Sequence, residues 1–244
     1  MSRAGSSVLV TGGTRGIGLA IALRLVRDGA SRAVLGYMRN DAAAEEAAEA
    51  MRAAGAEPVL VRGEVSKPRV IEELAAAGPY RVVVHNAATG VIRAALETDD
   101  RHWDWTLNAN ARALLSLARA TAPAMEPGSS IVAISSLGSQ RVLDNYVLVG
   151  TSKAALESVV RYLAVELGPH GIRVNAVSGG VVDTGALDFF PNKDAMLATV
   201  ERTPAGRLVE PDDIAAAVSF LSSPESEMVR GQTIVVDGGF SLRA

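Results

Sequence analysis

The chain has 244 residues, 48% of them hydrophobic and 21% charged, with 24 basic and 27 acidic side chains and a formal net charge of −3. That length and composition describe one domain able to bury a large core, or at most two small ones, and with no linker or repeat a single domain (1–244) is expected; they exclude disorder and collagen-like repeats, and the slight acidity leaves no basic field for nucleic acid. Zero cysteines exclude a disulfide scaffold and a thiolate nucleophile, three scattered histidines (His85, His102, His170) argue against a metal centre, and no apolar run is long enough for a signal peptide or a membrane span, so a cytoplasmic protein is expected.

In chain order, short β-branched runs predict strands at Ser7 to Val10, Arg32 to Gly36, Pro58 to Arg62, Arg81 to His85, Ser130 to Ser135, Arg173 to Ser178 and Thr233 to Val236. Ala-rich amphipathic stretches between them predict helices at Ile17 to Asp28, Asp41 to Ala54, Lys67 to Ala76, Asp99 to Met125, Val149 to Gly168 and Pro211 to Ser222. This alternation predicts an α/β doubly wound Rossmann fold, a seven-stranded parallel sheet with helices on both faces. The irregular stretch 185–207, with Phe189, Phe190, Pro191, Met196 and Pro204, suits an apolar lid over a pocket. A plain surface excursion has the same composition.

The first strand runs into a helix through Thr11-Gly-Gly-Thr-Arg-Gly-Ile-Gly18. Glycines at 12, 16 and 18 permit a tight turn and let a pyrophosphate approach the helix N-terminus, whose free N–H groups and dipole favour an anion. At the end of the second strand, Leu35-Gly-Tyr-Met-Arg-Asn40 offers no carboxylate for ribose hydroxyls before Asp41. Arg39 and Arg15 can converge on a 2'-phosphate, so charge favours NADPH over NADH.

These segments together resemble the short-chain dehydrogenase/reductase family over essentially the whole chain. Thr11 to Gly18 is similar to its cofactor loop, His85-Asn-Ala-Ala88 to its turn after strand four, Asn110 to its helix asparagine, Ser135-Ser136 to its serine after strand five, and Gly231 to Gly239 to its C-terminal strand. The resemblance implies cofactor contacts from Gly12, Thr14, Arg15, Gly16, Ile17, Gly18, Arg39, Glu64, Val65, Asn86, Ala87, Lys153, Gly180, Val182 and Thr184. It places Asn86 near the adenine-side ribose and Thr184 near the nicotinamide carboxamide, and it implies a homotetramer, with a homodimer as the smaller option. The chain departs from the family pattern at Glu64, at His85 and Ala88, and at Ser178-Gly-Gly180, which lacks a proline.

The largest departure is catalytic. The family's common Tyr-x-x-x-Lys would put tyrosine four residues before Lys153, where the chain has Val149. Tyr146 lies seven residues before Lys153, about two helical turns, so the two side chains can share a face. In carbonyl reduction hydride lands on the carbon bearing the protonated oxygen. In reduction of an α,β-unsaturated thioester hydride goes to the β-carbon, while charge develops on a more distant carbonyl oxygen, so a displaced donor suits the enoyl reaction. Tyr-x6-Lys also resembles the signature of type III enoyl-acyl-carrier-protein reductases, as do His102-Trp-Asp-Trp105 ahead of Asn108-Ala-Asn-Ala111, the run Asn145 to Glu166, and Asn175 to Gly180 followed by Asp183-Thr184.

The expected function is therefore NADPH-dependent reduction of an enoyl thioester carried on acyl carrier protein or coenzyme A, as in fatty acid biosynthesis. Tyr146 holds the thioester carbonyl, Lys153 is assigned by resemblance to the nicotinamide ribose, Ser136 or its neighbour Ser135 reaches the substrate oxygen, and Asn110 holds a water by Lys153 or caps a bent helix. Trp103 and Trp105 are expected to pack, and His85 to be a satisfied imidazole. A ketoreductase or alcohol dehydrogenase on a 3-oxoacyl substrate is the enzymatic alternative, and an NADPH-binding sensor the non-enzymatic one.

Overall fold

A computed structural model describes residues 5–185, 187–189 and 192–243. The strands are β1 (Ser6–Thr11), β2 (Ala30–Tyr37), β3 (Glu57–Arg62), β4 (Val82–His85), β5 (Ser130–Ser136), β6 (Arg173–Gly179) and β7 (Thr233–Val236). They form a seven-stranded sheet in the order β3-β2-β1-β4-β5-β6-β7, every pair parallel. The helices are α1 (Gly16–Arg27), α2 (Asp41–Ala53), α3 (Pro68–Ala76), α4 (Asp100–Leu107), α5 (Ala113–Thr121), α6 (Val147–Glu166), α7 (Lys193–Leu197) and α8 (Pro211–Leu221).

The period-two side-chain alternation of the strands divides the core. Leu9, Val34, Val83, Ile131 and Val174 point to one face, where α3, α5 and α6 bring Leu74, Leu114, Leu117, Leu156 and Val160. Val8, Val10, Leu35, Val82, Val84, Val132 and Val177 point to the other, against Ile21 and Leu25 of α1, Met51 of α2 and Ile214 and Val218 of α8. Most of these side chains are fully buried, and truncating any of the leucines to alanine is expected to cost about 2–5 kcal/mol. Because β1 sits between β2 and β4, successive connections diverge at β1/β4, and a crevice opens beyond the carboxyl ends of those strands.

Two helices and two tryptophans depart most from the sequence expectation. The helix expected from Asp99 to Met125 is divided: α4 gives way to a π-helical turn, Asn108–Arg112, before α5, and Ala122–Ala124 forms a 3-10 turn around Pro123. Helix α6 begins at Val147 rather than Val149 and ends at Glu166. Trp103 and Trp105, expected to pack, are 43% and 39% exposed, because the buried position of α4 is taken by Thr106. His102 closes a reciprocal cap with Asp99 at the start of that helix.

The expected lid contains a 3-10 turn at Leu187–Phe189, then α7, then a second 3-10 turn at Ala198–Arg202. Leu187 is buried and Met196 half-buried, while Pro204 is exposed. Arg202 stacks 5.6 Å over the Phe240 ring, and Ala205 N–H donates to the Gly238 carbonyl, so the end of this stretch is tied to the C-terminal segment. Phe190 and Pro191 lie outside the described residues. No helix among the described residues is long and apolar enough to cross a membrane.

Candidate active site

The glycine loop stands at the mouth of the β1/β4 crevice. Gly12 takes φ +63°, and a Cβ there would lie 2.9 Å from Asn86 Nδ2 and 3.1 Å from the Ala87 Cα. A Cβ on Gly18 would lie 2.0 Å from the Gly12 carbonyl oxygen, so only glycine lets α1 pack this close to the loop. Asn86 Nδ2 donates to the carbonyls of Thr11 (3.1 Å) and Gly12 (3.0 Å), locking the loop to the end of β4. Helix α1 has no side-chain cap at Arg15 and no acid in its first turn, which leaves its first N–H groups for an anion. A dinucleotide's pyrophosphate fits this cradle. Gly16 and Ile17 begin the helix there, and Thr14 is buried in the turn before them.

The remaining cofactor candidates fall around this cradle. The side chains of Arg15 and Arg39 are exposed and make no ion pair with any described residue. Asp41, the first acid after β2, receives the Tyr37 hydroxyl at 2.9 Å and pairs with Arg62 at 3.2 Å. Glu64 Oε1 accepts from Ser66 at 2.6 Å, whereas Val65 is turned into the core beside Val61 and Val70, so its side chain is committed to packing. Beyond β6, Gly180 packs its backbone on Asp237, Val182 bridges to Val209, and the Thr184 methyl faces Gly16 at 3.6 Å from where a Cβ would stand.

Tyr146 occupies the N-cap of α6, following Asn145, whose φ of +58° is the left-handed conformation that asparagine tolerates better than most residues. The Asn145 carbonyl accepts from Arg93 N–H at 2.9 Å, which anchors this turn. The tyrosine ring lies over Gly138, where a Cβ would meet ring carbons at 2.5 Å, and its hydroxyl donates to Ser136 Oγ at 3.4 Å. Burial raises the phenol's pKa, and the Ser136 hydrogen bond works against that rise. Val149 is buried, packed against Gly90, where a Cβ would come within 2.3 Å of its Cγ2.

Lys153 is 4% exposed and donates from Nζ to the Ile134 carbonyl at 2.7 Å, two residues before Ser136 on β5. Burial pushes its pKa down to about 8, partly offset by the negative charge of Glu157. Tyr146 and Lys153 thus both reach the carboxyl end of β5. Of the two neighbouring serines, Ser136 faces the phenol, and Ser135 turns away to donate to Glu157 Oε1 at 2.5 Å.

Asn110 lies fully buried in the π-helical turn. Its side chain accepts from Thr89 N–H at 2.9 Å and donates at 2.8 Å to both the Thr89 carbonyl and Ser152 Oγ. It therefore pins the loop after β4 to α6 instead of capping its own helix. His85 Nε2 meets the Asn110 carbonyl at 3.0 Å, and its Nδ1 lies 3.2 Å from Thr11 Oγ1. Because that hydroxyl already accepts the N–H groups of Asn86 and Ala87, its own proton goes to Nδ1, and Nε2 carries the imidazole proton. Burial, with Lys153 nearby, lowers the His85 pKa to about 4, so the ring is neutral at physiological pH. Sequence reasoning missed Glu157, Ser152, Thr89 and the Thr11 hydroxyl as parts of this constellation. Only Glu157 carried a local signal, lying one helical turn beyond Lys153.

A family model described as Enoyl-(Acyl carrier protein) reductase matches residues 12–241. The chain is 36% identical to 1-cyclohexenylcarbonyl-CoA reductase of Streptomyces collinus over 97% of its own length and 87% of that protein's. It is 35% identical to L-xylulose reductase of Mus musculus, over 97% of each chain, and 34% identical to D-erythrulose reductase of Gallus gallus, over 98% of this chain and 97% of that protein. Among solved structures, a short-chain dehydrogenase of Burkholderia cenocepacia in complex with NADP superposes with a TM-score of 0.89 at 31% identity, covering 99% of this chain and 100% of that one. A blue fluorescent protein from a metagenomic library in complex with NADPH superposes equally well, with a TM-score of 0.89 at 30% identity and the same coverage. The glycine cradle at the β1/β4 crevice, the Tyr146–Ser136 pair and the buried Lys153 reaching β5, and a family model spanning nearly the whole chain lead to one conclusion: this protein is an oxidoreductase of the short-chain dehydrogenase/reductase family.

Proposed function

We propose that the chain reduces the 2,3 double bond of an enoyl thioester with NADPH. The observation that carries this reading is the displaced phenol: Tyr146 heads α6 seven residues before Lys153, and the position four residues before it is filled by a buried valine. When bound, NADPH supplies the hydride. Gly12, Thr14, Gly16, Ile17, Gly18, Asn86 and Ala87 line its pyrophosphate and ribose side, Arg15 and Arg39 meet its 2'-phosphate, and Gly180, Val182 and Thr184 flank the nicotinamide end. Two solved relatives that carry NADP or NADPH support that choice.

Tyr146 donates its hydroxyl to the thioester carbonyl and stabilises the oxygen as it gains enolate charge, with Ser136 orienting the phenol from 3.4 Å. Lys153 places a buried positive charge at the nicotinamide ribose and favours charge on the phenol oxygen. Asn110 holds the loop and helix that carry these groups and does not itself touch the substrate. The resemblance to a CoA-thioester reductase supports coenzyme A as one carrier, beside acyl carrier protein. A homotetramer or homodimer belongs to the same proposal, supported by apolar side chains left exposed on α6 and on α4 and α5, which each pack against it: Trp103, Trp105, Leu115, Tyr162 and Val165.

Resemblance to two ketose reductases favours a second reading, carbonyl reduction. The deciding experiment follows NADPH oxidation with crotonyl thioester, acetoacetyl thioester and a ketose side by side. Preferential turnover of crotonyl thioester is expected; preferential turnover of acetoacetyl thioester or of a ketose establishes carbonyl reduction, and NADPH binding without turnover of any of the three supports a sensor.

A further inference from the structure

Glu157 is 5% exposed on α6, one turn beyond Lys153. Its Oε1 accepts hydroxyl protons from Ser135 at 2.5 Å and Ser139 at 2.6 Å, and its Oε2 accepts from Gln140 Nε2 at 3.4 Å. Two hydroxyls at such short range are the mark of charge-assisted hydrogen bonds to a carboxylate. The three donors lie on both sides of Ser136, in the turn that leaves β5, and within that turn Gly138 N–H donates to Ser136 Oγ at 3.3 Å. A carboxylate placed so deep needs both hydrogen-bond donors and a counter-charge, and here serine and glutamine provide the first and Lys153 the second.

We propose that Glu157 is a positioning residue of the active site: its carboxylate clamps the Ser135-to-Gln140 turn so that Ser136 faces Tyr146, and its negative charge balances the buried ammonium of Lys153. The second task rests on the assignment of Lys153 to the catalytic machinery; the clamp rests on geometry alone. Burial disfavours the Lys153 ammonium, and Glu157 opposes that tendency. The other titratable group coupled to it is His85 from β4, which is neutral at the pH concerned. From β5, Lys153 meets the uncharged Ile134 carbonyl. Among the described residues, Glu157, one helical turn along α6, is thus the negative charge that acts on it.

The chain has only three lysines, Lys67, Lys153 and Lys193, so NMR of ¹³Cε-labelled lysine resolves the Lys153 titration in the free protein, without substrate. Glu157→Gln should lower the Lys153 midpoint by about one unit. The alkaline limb of kcat/KM should move in the same direction. The double variant Ser135→Ala/Ser139→Ala keeps the charge and removes the clamp: its Lys153 midpoint should stay at or above the wild-type value while kcat falls several-fold and KM for NADPH is unchanged. Should Glu157→Gln fail to fold, Glu157→Met, which removes the charge without burying an amide, gives the same reading. An unchanged Lys153 midpoint on loss of the charge overturns the electrostatic task, and full kcat in the double serine variant overturns the clamp. Neither NMR result depends on which thioester is turned over, so failure of the enoyl-reductase reading remains distinguishable.

Discussion

In the proposed enoyl reduction, a phenol moved by three residues meets the distant carbonyl oxygen instead of one on the carbon that takes hydride. With Val149 packed against Gly90, no donor stands one turn before Lys153, and the hydroxyl of Tyr146 is left facing Ser136. Tyr146→Phe keeps the ring over Gly138 and deletes the hydroxyl, so kcat for crotonyl thioester should fall about 10²-fold or more with little change in NADPH affinity. Steady-state kinetics paired with a cofactor-fluorescence titration checks both halves. Val149→Tyr should not rescue that loss, because the introduced phenol has to displace the contact with Gly90. At the cofactor's other end, Arg39 is exposed and Asp41 is already engaged by Tyr37 and Arg62. Arg39→Asp should abolish or reverse the preference for NADPH over NADH, measured as the ratio of the two dissociation constants; equal affinities in the unmodified protein refute the charge argument.

At the scale of elements, the site depends on how β1, β4, the π-helical turn and α6 are fastened together. The fastening runs from Thr11 through His85 and Asn110 to Ser152, which in turn donates to the Val149 carbonyl at 2.7 Å. Asn110→Ala leaves the polar groups of Thr89 and the Ser152 hydroxyl without these partners, each costing about 1–3 kcal/mol where it stays buried. Its melting temperature and kcat should both fall, with KM for NADPH less affected than kcat. His85 makes the same fastening sensitive to acid. Its folded pKa of about 4 lies below the ordinary 6.5, so the unfolded chain binds the extra proton between those values. The stabilisation is complete above pH 6.5 and is lost as pH falls toward 4, a change of about 3 kcal/mol. His85→Gln, which does not titrate, should flatten that part of the stability–pH profile, read as denaturation midpoints of variant and wild type at matched pH.

For the whole molecule, topology does the positioning. The crevice exists because the chain turns back from β3 to place β4 on the other side of β1, so residues from 11–18, 86–87 and 180–184 converge although the sequence keeps them far apart. The same architecture leaves apolar side chains of α4, α5 and α6 on the surface, in contrast to the strand-facing sides of α5 and α6, which are packed. Charge introduced by Trp105→Glu together with Val165→Glu should dissociate a tetramer or dimer, seen as a smaller mass in light scattering. A monomeric wild-type protein overturns the assembly proposal without touching the fold.

The sequence by itself determined the features that depend on local pattern. Period-two apolar runs separated by amphipathic stretches specify a doubly wound sheet, glycines 12, 16 and 18 between strand and helix specify the cofactor turn, and Val149 with Tyr146 and Lys153 specifies the unusual spacing. The tertiary structure decided whatever depends on partners distant in the chain. Strand alternation puts Ser135 and Ser136 on opposite faces of β5 but does not say which face holds the phenol; in the fold Ser135 meets the Glu157 carboxylate of α6 and Ser136 meets Tyr146. The helix expected across Asn110 is divided there by a π-helical turn whose buried asparagine is bonded to Thr89 and Ser152. His85 and Lys153 lie far apart in the chain, yet share one desolvated region that sets the protonation of both. Propensity and periodicity act over a few residues, whereas desolvation and hydrogen-bond satisfaction depend on what the completed fold brings into contact.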